Sequence, residues 1–173
     1  MGTRMNGNVR FDPVGEADFP TIARLGEAIW REYYPSMISL AQIDYMLAGR
    51  FAPERLRQYA NAQDRGLFLV RIDGEPAGYF SYALTSNPAE MKLEQLYLLE
   101  RYRGQGVGKR MLGAVEAQAN AHGCRALILT VNKGNAGAIA IYRKAGFTVR
   151  EAAVFDIGNG YVMDDYVMHK TLA

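Results

Sequence analysis

The chain has 173 residues, a net charge of +2 and 49% hydrophobic residues. That length suits one globular domain with a substantial core, and so small a charge argues against nucleic-acid or anionic-membrane partners. A single cysteine, Cys124, excludes an internal disulfide and a cysteine-rich zinc site, and no His spacing suggests any other metal centre.

Residues 1–8 are polar, lack the apolar stretch of a signal peptide and read as a flexible N-terminus before one domain at 9–173. No apolar run approaches the ~20 residues needed to span a bilayer, so the expectation is a cytoplasmic protein. Val9 to Asp12 reads as a first strand, stopped by Pro13 and Gly15. From Glu16 to Tyr34 the apolar residues Phe19, Ile22, Ala23, Leu25, Ala28, Ile29 and Trp30 recur at helical spacing, and Pro35 ends the run. Ser39 is placed to cap a second helix through Gly49, and Pro53 to Asp64 reads as a third, with Gly66 past its end. Strands follow at Leu67–Ile72 and Pro76–Leu84 around the hairpin signal Asp73-Gly74. Glu90–Leu99 is a further strand, and a helix runs from Lys109 to about His122. Arg125–Val131 is the next strand, Asn135–Ala145 a helix closed by Gly146. Two last strands, Phe147–Phe155 and Tyr161–Leu172, flank Gly158-Asn159-Gly160. The order predicts an α/β (α+β) domain, a mixed sheet with helices on its faces.

Between the strand at Leu93–Leu99 and the helix at Lys109 lies Arg103-Gly104-Gln105-Gly106-Val107-Gly108. A strand turning through glycines into a helix leaves several backbone N–H groups unpaired and pointing one way. The helix dipole adds positive potential there, and the glycines let a bulky phosphate approach the backbone. Arg101, Arg103, Lys109 and Arg110 surround the turn with positive charge, so it reads as a diphosphate cradle. A dinucleotide-binding Gly-x-Gly-x-x-Gly fails on spacing and on the missing acidic residue about 20 positions later. A P-loop fails because position 110 is Arg, not Ser or Thr.

The pattern Arg-x-x-Gly-x-Gly, met by Arg103, Gly106 and Gly108, resembles the coenzyme A pyrophosphate loop of the GNAT N-acetyltransferase superfamily. The segment from Asn135 through Tyr142, Lys144, Gly146 and Phe147 is similar to that family's second signature, in the family's order. The closing segment, Phe155-Asp156-Ile157-Gly158 and Asp165 to Leu172, resembles the last hairpin of bacterial spermine/spermidine (PaiA-type) acetyltransferases. The resemblance implies a mostly antiparallel sheet of about seven strands, splayed at the cofactor site. It also implies acetyl-CoA as co-substrate and a small-molecule amine, a polyamine among the candidates, as acceptor. A protein N-terminus or lysine acceptor stands as the near alternative, and a non-catalytic acyl-CoA-binding module as an alternative of another class. Homodimers are common in the family.

Carried over residue by residue, the resemblance assigns Leu96, Tyr97 and Leu98 to the pantetheine arm, held like an added strand, with the Leu98 N–H at the thioester oxyanion. Gly104, Gln105, Gly106, Val107, Gly108 and Lys109, with Arg103, take the diphosphate; Asn135 and Ala138 lie near the arm on the other wall. An alkylammonium of pKa about 10.4 must lose a proton before it attacks, and a carboxylate can take it. Glu94 is the candidate base, with Glu90 behind it. Tyr142, a phenol near 10, is the candidate donor to the leaving thiolate and also touches the cofactor. Cys124 opens an apolar strand and reads as a structural thiol, so direct attack in a ternary complex is expected over an acetyl-cysteine route.

Overall fold

The computed structural model describes residues 7–173; most of the N-terminus expected to be flexible, residues 1–6, lies outside them. Seven strands form one sheet: β1 (Val9–Pro13), β2 (Arg65–Ile72), β3 (Glu75–Leu84), β4 (Glu90–Leu98), β5 (Ala126–Asn132), β6 (Thr148–Gly158) and β7 (Tyr161–Thr171). Their spatial order is β1-β2-β3-β4-β5-β7-β6. Every neighbouring pair is antiparallel except β4 and β5. The mixed sheet expected from the element order is therefore the one observed.

Helices α1 (Phe19–Tyr33), α2 (Leu40–Arg50) and α3 (Pro53–Arg57) precede the main meander, while α4 (Val107–Ala121) and α5 (Ala136–Lys144) flank β5 in sequence. In α1 the buried residues Phe19, Ile22, Leu25, Ile29 and Trp30 fall on one stripe, as three- and four-residue steps require. Ser39 caps α2 by accepting from the Gln42 N–H at 3.1 Å.

The chain splits its apolar side chains between two cores, one on each face of the sheet. Met91, Leu93, Leu98, Met111, Val115, Leu127 and Leu129 pack together on the α4 face. Ile22, Ile29, Trp30, Ile43, Leu56 and Tyr79 pack together on the α1–α3 face. Both faces are covered, which is why the central strands carry near-continuous apolar runs.

Two expectations are corrected. The third helix stops at Arg57 rather than reaching Asp64. Beyond it the Tyr59 and Ala60 N–H groups bond to carbonyls three residues back, a tighter winding that seldom persists, and Asn61 adopts a left-handed φ of 57°. Gly66 does not terminate that helix but lies inside β2. The hairpin at Asp73 and Gly74 has φ of 52° and 82°, the paired positive values a two-residue turn between twisted strands requires.

Candidate active site

β4 and β5 are hydrogen-bonded only from Glu90, Met91 and Lys92 to Ala126, Leu127 and Ile128. Past Lys92 the strands diverge, so the sheet is splayed as expected. The gap leaves backbone groups of β4 without a neighbour on one side. Leu99 donates its N–H to Ala77 of the preceding strand at 2.8 Å, and antiparallel pairing alternates direction residue by residue. Leu98 and Leu96 therefore turn their N–H and C=O groups into the gap, while Tyr97 pairs with Tyr79 of β3. The Leu98 carbonyl accepts from Arg103 Nε at 3.0 Å, so the N–H groups of Leu96 and Leu98 are the donors left facing the gap.

At its C-terminal end the gap opens on the glycine turn. Gly104 and Gly106 have φ of 74° and 85°, values that side chains rarely adopt. Gly106 is the N-cap of α4 and supplies no side-chain cap, so the first N–H groups of that helix have no internal acceptor. A Cβ built at Gly104, Gly106 or Gly108 meets nothing within 4 Å. Gln105, Lys109 and Arg110 are exposed around the turn and Val107 anchors it in the core. Open backbone donors, a helix dipole and added positive side chains suit a diphosphate, so the residues present fit the phosphates of coenzyme A.

The opposite wall is the start of α5. Asn135, only 7% exposed, caps that helix by accepting from the Ala138 N–H at 3.1 Å. The same Oδ1 accepts from the Tyr33 hydroxyl at 3.0 Å, and the Arg103 guanidinium lies 5.3 Å from the centre of the Tyr33 ring. Tyr33 therefore ties the glycine turn to the wall across the gap.

Tyr142 sits on α5 with its ring edge-on to Phe147 at 5.6 Å, against the core on the α4 face. Burial, and then the neighbouring Tyr33, push its phenol up to about 12. Burial raises Tyr34 and Tyr97 as well, with the charge of Tyr142 among the further causes for each. Those residues belong to the α1 side, so charge on the Tyr142 phenol is felt across the sheet. The phenol stays protonated at neutral pH and so acts as a donor.

Glu94 is turned by a defect in the ladder. The register of β3 and β4 slips there, with Ser81 opposite Gln95 but Tyr82 opposite Leu93. Met91 and Leu93 face the α4 core, as do Leu96 and Leu98, so strict alternation cannot hold across Glu94. A bulge inserts one residue and re-aims its side chain. Here it directs Glu94 to the α1–α3 side, where Oε1 accepts from the Tyr59 hydroxyl at 2.6 Å. Burial, with the Glu94 carboxylate next, raises Tyr59 to about 12, so that hydroxyl remains a donor. Glu90, by contrast, is paired with Arg150 at 2.7 Å where β4 and β5 are still joined. It does not line the gap and is set aside as a base.

Sequence reasoning assigned no role to Tyr59 or Asp165. Nothing local marks them: Tyr59 and Glu94 are 35 positions apart. Cys124 is buried, its thiol raised by burial, and it lies at the closed end of the gap with Sγ 3.7 Å from the Pro88 carbonyl. Among the described residues no three His, Cys, Asp or Glu side chains gather as a metal site, and no helix is long and apolar enough to cross a membrane.

The profile of the family described as acetyltransferase (GNAT) family matches residues 26–147. Among characterised proteins, the chain is similar to mycothiol acetyltransferase of Corynebacterium glutamicum, 37% identical over 82 residues. That match spans 47% of this chain and only 28% of the relative. It is similar also to spermine/spermidine N(1)-acetyltransferase of Bacillus subtilis, 26% identical over 117 residues that span 64% of this chain and 75% of the relative. The fold superposes on the PaiA N-acetyltransferase of Thermoplasma acidophilum, crystallised with coenzyme A, with a TM-score of 0.80 at 20% identity, over 95% of this chain and 99% of that one.

Proposed function

The chain belongs to the acetyltransferase (GNAT) family, and on that premise we propose that it moves the acetyl group of acetyl-CoA to a primary amine by direct attack in a ternary complex. One observation carries the reading: the N–H groups of Leu96 and Leu98 that β5 leaves unpaired and the open glycine turn border the gap between β4 and β5, with Tyr142 on α5, the helix that follows β5. Acetyl-CoA supplies the activated acyl group. Gly104 to Lys109 hold its diphosphate, and the β4 backbone at Leu96–Leu98 holds the pantetheine amides as an added strand would.

The residues of this chain then divide the proton and charge work. An N–H of the splayed β4 segment, Leu98 in our assignment, stabilises charge developing on the carbonyl oxygen. Glu94 takes the first proton from the acceptor ammonium, directly or through a water, with Tyr59 holding one of its oxygens. The second proton, freed from nitrogen as the amide forms, ends on the departing sulfur, to which Tyr142 donates a hydrogen bond. A phenol near 12 holds its proton more tightly than a thiol of about 8.5, so Tyr142 stabilises the thiolate by hydrogen bonding while the substrate nitrogen is the net proton source. The raised thiol of Cys124 supports direct attack, since an acetyl-cysteine route needs a thiolate.

The acceptor class rests on less: the similarity to a spermine/spermidine acetyltransferase favours a polyamine. The test is release of free thiol from acetyl-CoA with a panel containing spermidine, spermine, simple alkylamines, free amino acids and peptides with free N-termini. Turnover with one of the small amines is expected. No thiol release with any member of the panel overturns the transferase reading in favour of an acyl-CoA-binding module.

A further inference from the structure

Three buried side-chain atoms among the described residues have no hydrogen-bond partner: Arg50 Nη1, Gln95 Oε1 and Asp165 Oδ1. Asp165 is the one whose surroundings identify a ligand. It is 5% exposed, and an ionisable carboxyl so withdrawn from water is expected to be paired. Its position in β7 follows from strand alternation: Tyr166 and Met168 join the core on the α4 face, so Asp165 faces the opposite side, the side of Tyr97 and α2. In register it stands against Asn132, the last residue of β5, beside the open end of the gap.

At the same end of the sheet lies a cavity of about 450 Å³, lined by Ile38 of the loop before α2, Gln42 of α2, Asn132 at the end of β5, Lys133 just past it, and Val162 and Asp164 of β7. Asp165 is flanked by two of these walls, through its chain neighbour Asp164 and its register partner Asn132. Lys133 is already paired with Asp164 at 2.8 Å. The register partners of Asp165, Asn132 on β5 and Ala153 on β6, are both neutral, and Gln42 of α2 bonds instead to the Val162 carbonyl. Of the charged groups that act on it, Lys92 of β4 favours the carboxylate without forming an ion pair among the described residues, and Asp164 opposes it.

We propose that Asp165 is the counter-ion of the acceptor's ammonium group, which enters by this cavity and pairs with it before meeting Glu94. The inference rests on the reading of the acceptor as an amine and adds the residue that recognises it. No bond is made or broken at Asp165; it positions the cation and selects against neutral acceptors. Burial, the largest cause, raises its carboxyl to about 6. It is thus ionised at neutral pH and loses its hold on a cation as the pH falls through that value.

Calorimetric titration of the whole protein, saturated with coenzyme A, with spermidine and separately with n-butylamine tests this. The wild type binds the amine, more weakly as the pH is lowered from about 7.5 to about 5. Asp165→Asn binds about tenfold or more weakly with that pH dependence gone, and Asp165→Glu regains part of the affinity. Coenzyme A affinity and melting temperature stay unchanged in both variants. Equal amine affinity in wild type and Asp165→Asn overturns the proposal, as does failure of the wild type to bind either amine. A loss of coenzyme A affinity in step with amine affinity also overturns it, by marking a structural role. Thiol release reports on acetyl transfer separately: Asp165-dependent amine binding without thiol release sinks the transferase reading and leaves this one standing.

Discussion

Tyr33, at the end of α1, donates a 3.0 Å hydrogen bond to Oδ1 of Asn135, 102 positions later. That oxygen also caps α5, and the Tyr33 ring lies beneath the Arg103 guanidinium. One phenol thus joins α1, the glycine turn and the helix that carries Tyr142. Tyr33→Phe removes a single hydrogen bond and keeps the ring, at a cost of about 1 kcal/mol. The expected outcome is a melting temperature lower by about 2–4 °C and a raised KM for acetyl-CoA with kcat little changed. A melt identical to wild type would mean that the bond contributes nothing in solution.

Tyr142→Phe keeps the edge-on contact with Phe147 and removes only the hydroxyl. We expect kcat to fall by about 10²-fold or more while coenzyme A still binds with wild-type affinity, measured by calorimetry. Undiminished turnover would remove Tyr142 from the chemistry.

The glycine turn separates backbone strain from ligand contact. Gly106 has φ of 85°, whereas Gly108 has an ordinary helical φ, and neither would bring a new Cβ into contact. Gly106→Ala should lose about 1–2 kcal/mol of stability together with coenzyme A affinity. Gly108→Ala should hold or gain stability, since alanine is favoured over glycine in a helix, yet weaken coenzyme A by crowding the phosphate. Thermal melts with and without coenzyme A distinguish the two; an unstrained Gly106→Ala would contradict the left-handed assignment.

Tyr59 holds one oxygen of Glu94 at 2.6 Å. If that contact aims the carboxylate at the acceptor, Tyr59→Phe lowers kcat several-fold and Glu94→Gln lowers it further. The double variant then resembles Glu94→Gln alone, because Tyr59 acts through Glu94. Independent, multiplying losses in the cycle would show that the two residues act separately.

His122 carries a pH-dependent clamp away from the gap. Its Nδ1 lies 2.8 Å from the Gln118 carbonyl and its Nε2 2.9 Å from the Gln63 carbonyl. Carbonyls only accept, so both contacts are satisfied only by the doubly protonated ring, and these backbone bonds raise the His122 pKa despite opposing desolvation. With the folded value above the unfolded one, the stabilisation is complete below about 6.5 and fades as pH rises through the raised value. His122→Ala should therefore cost more stability at pH about 5.5 than at pH about 8.5. A difference that grows toward alkaline pH would reverse the assignment.

Features that depend on neighbours in sequence were legible without the fold. The glycine turn, the Ser39 cap, the Asp73-Gly74 hairpin and the stripe on α1 are set by contacts within a few residues, and the structure places them where spacing puts them. The third helix misled because Gly66 reads as its stop, whereas the chain tightens past Arg57 and Gly66 belongs to β2.

The sequence by itself marked a turn suited to a diphosphate and the elements that stand around it, because backbone geometry, caps and the helix dipole are local. Only the tertiary structure decided which carboxylates matter. A bulge that exists through pairing with β3 turns Glu94 toward Tyr59, an ion pair with Arg150 holds Glu90, and burial on β7 leaves Asp165 with an unpartnered oxygen. Partners and dielectric surroundings of a charge are set by packing between distant segments, and no period along the chain encodes them.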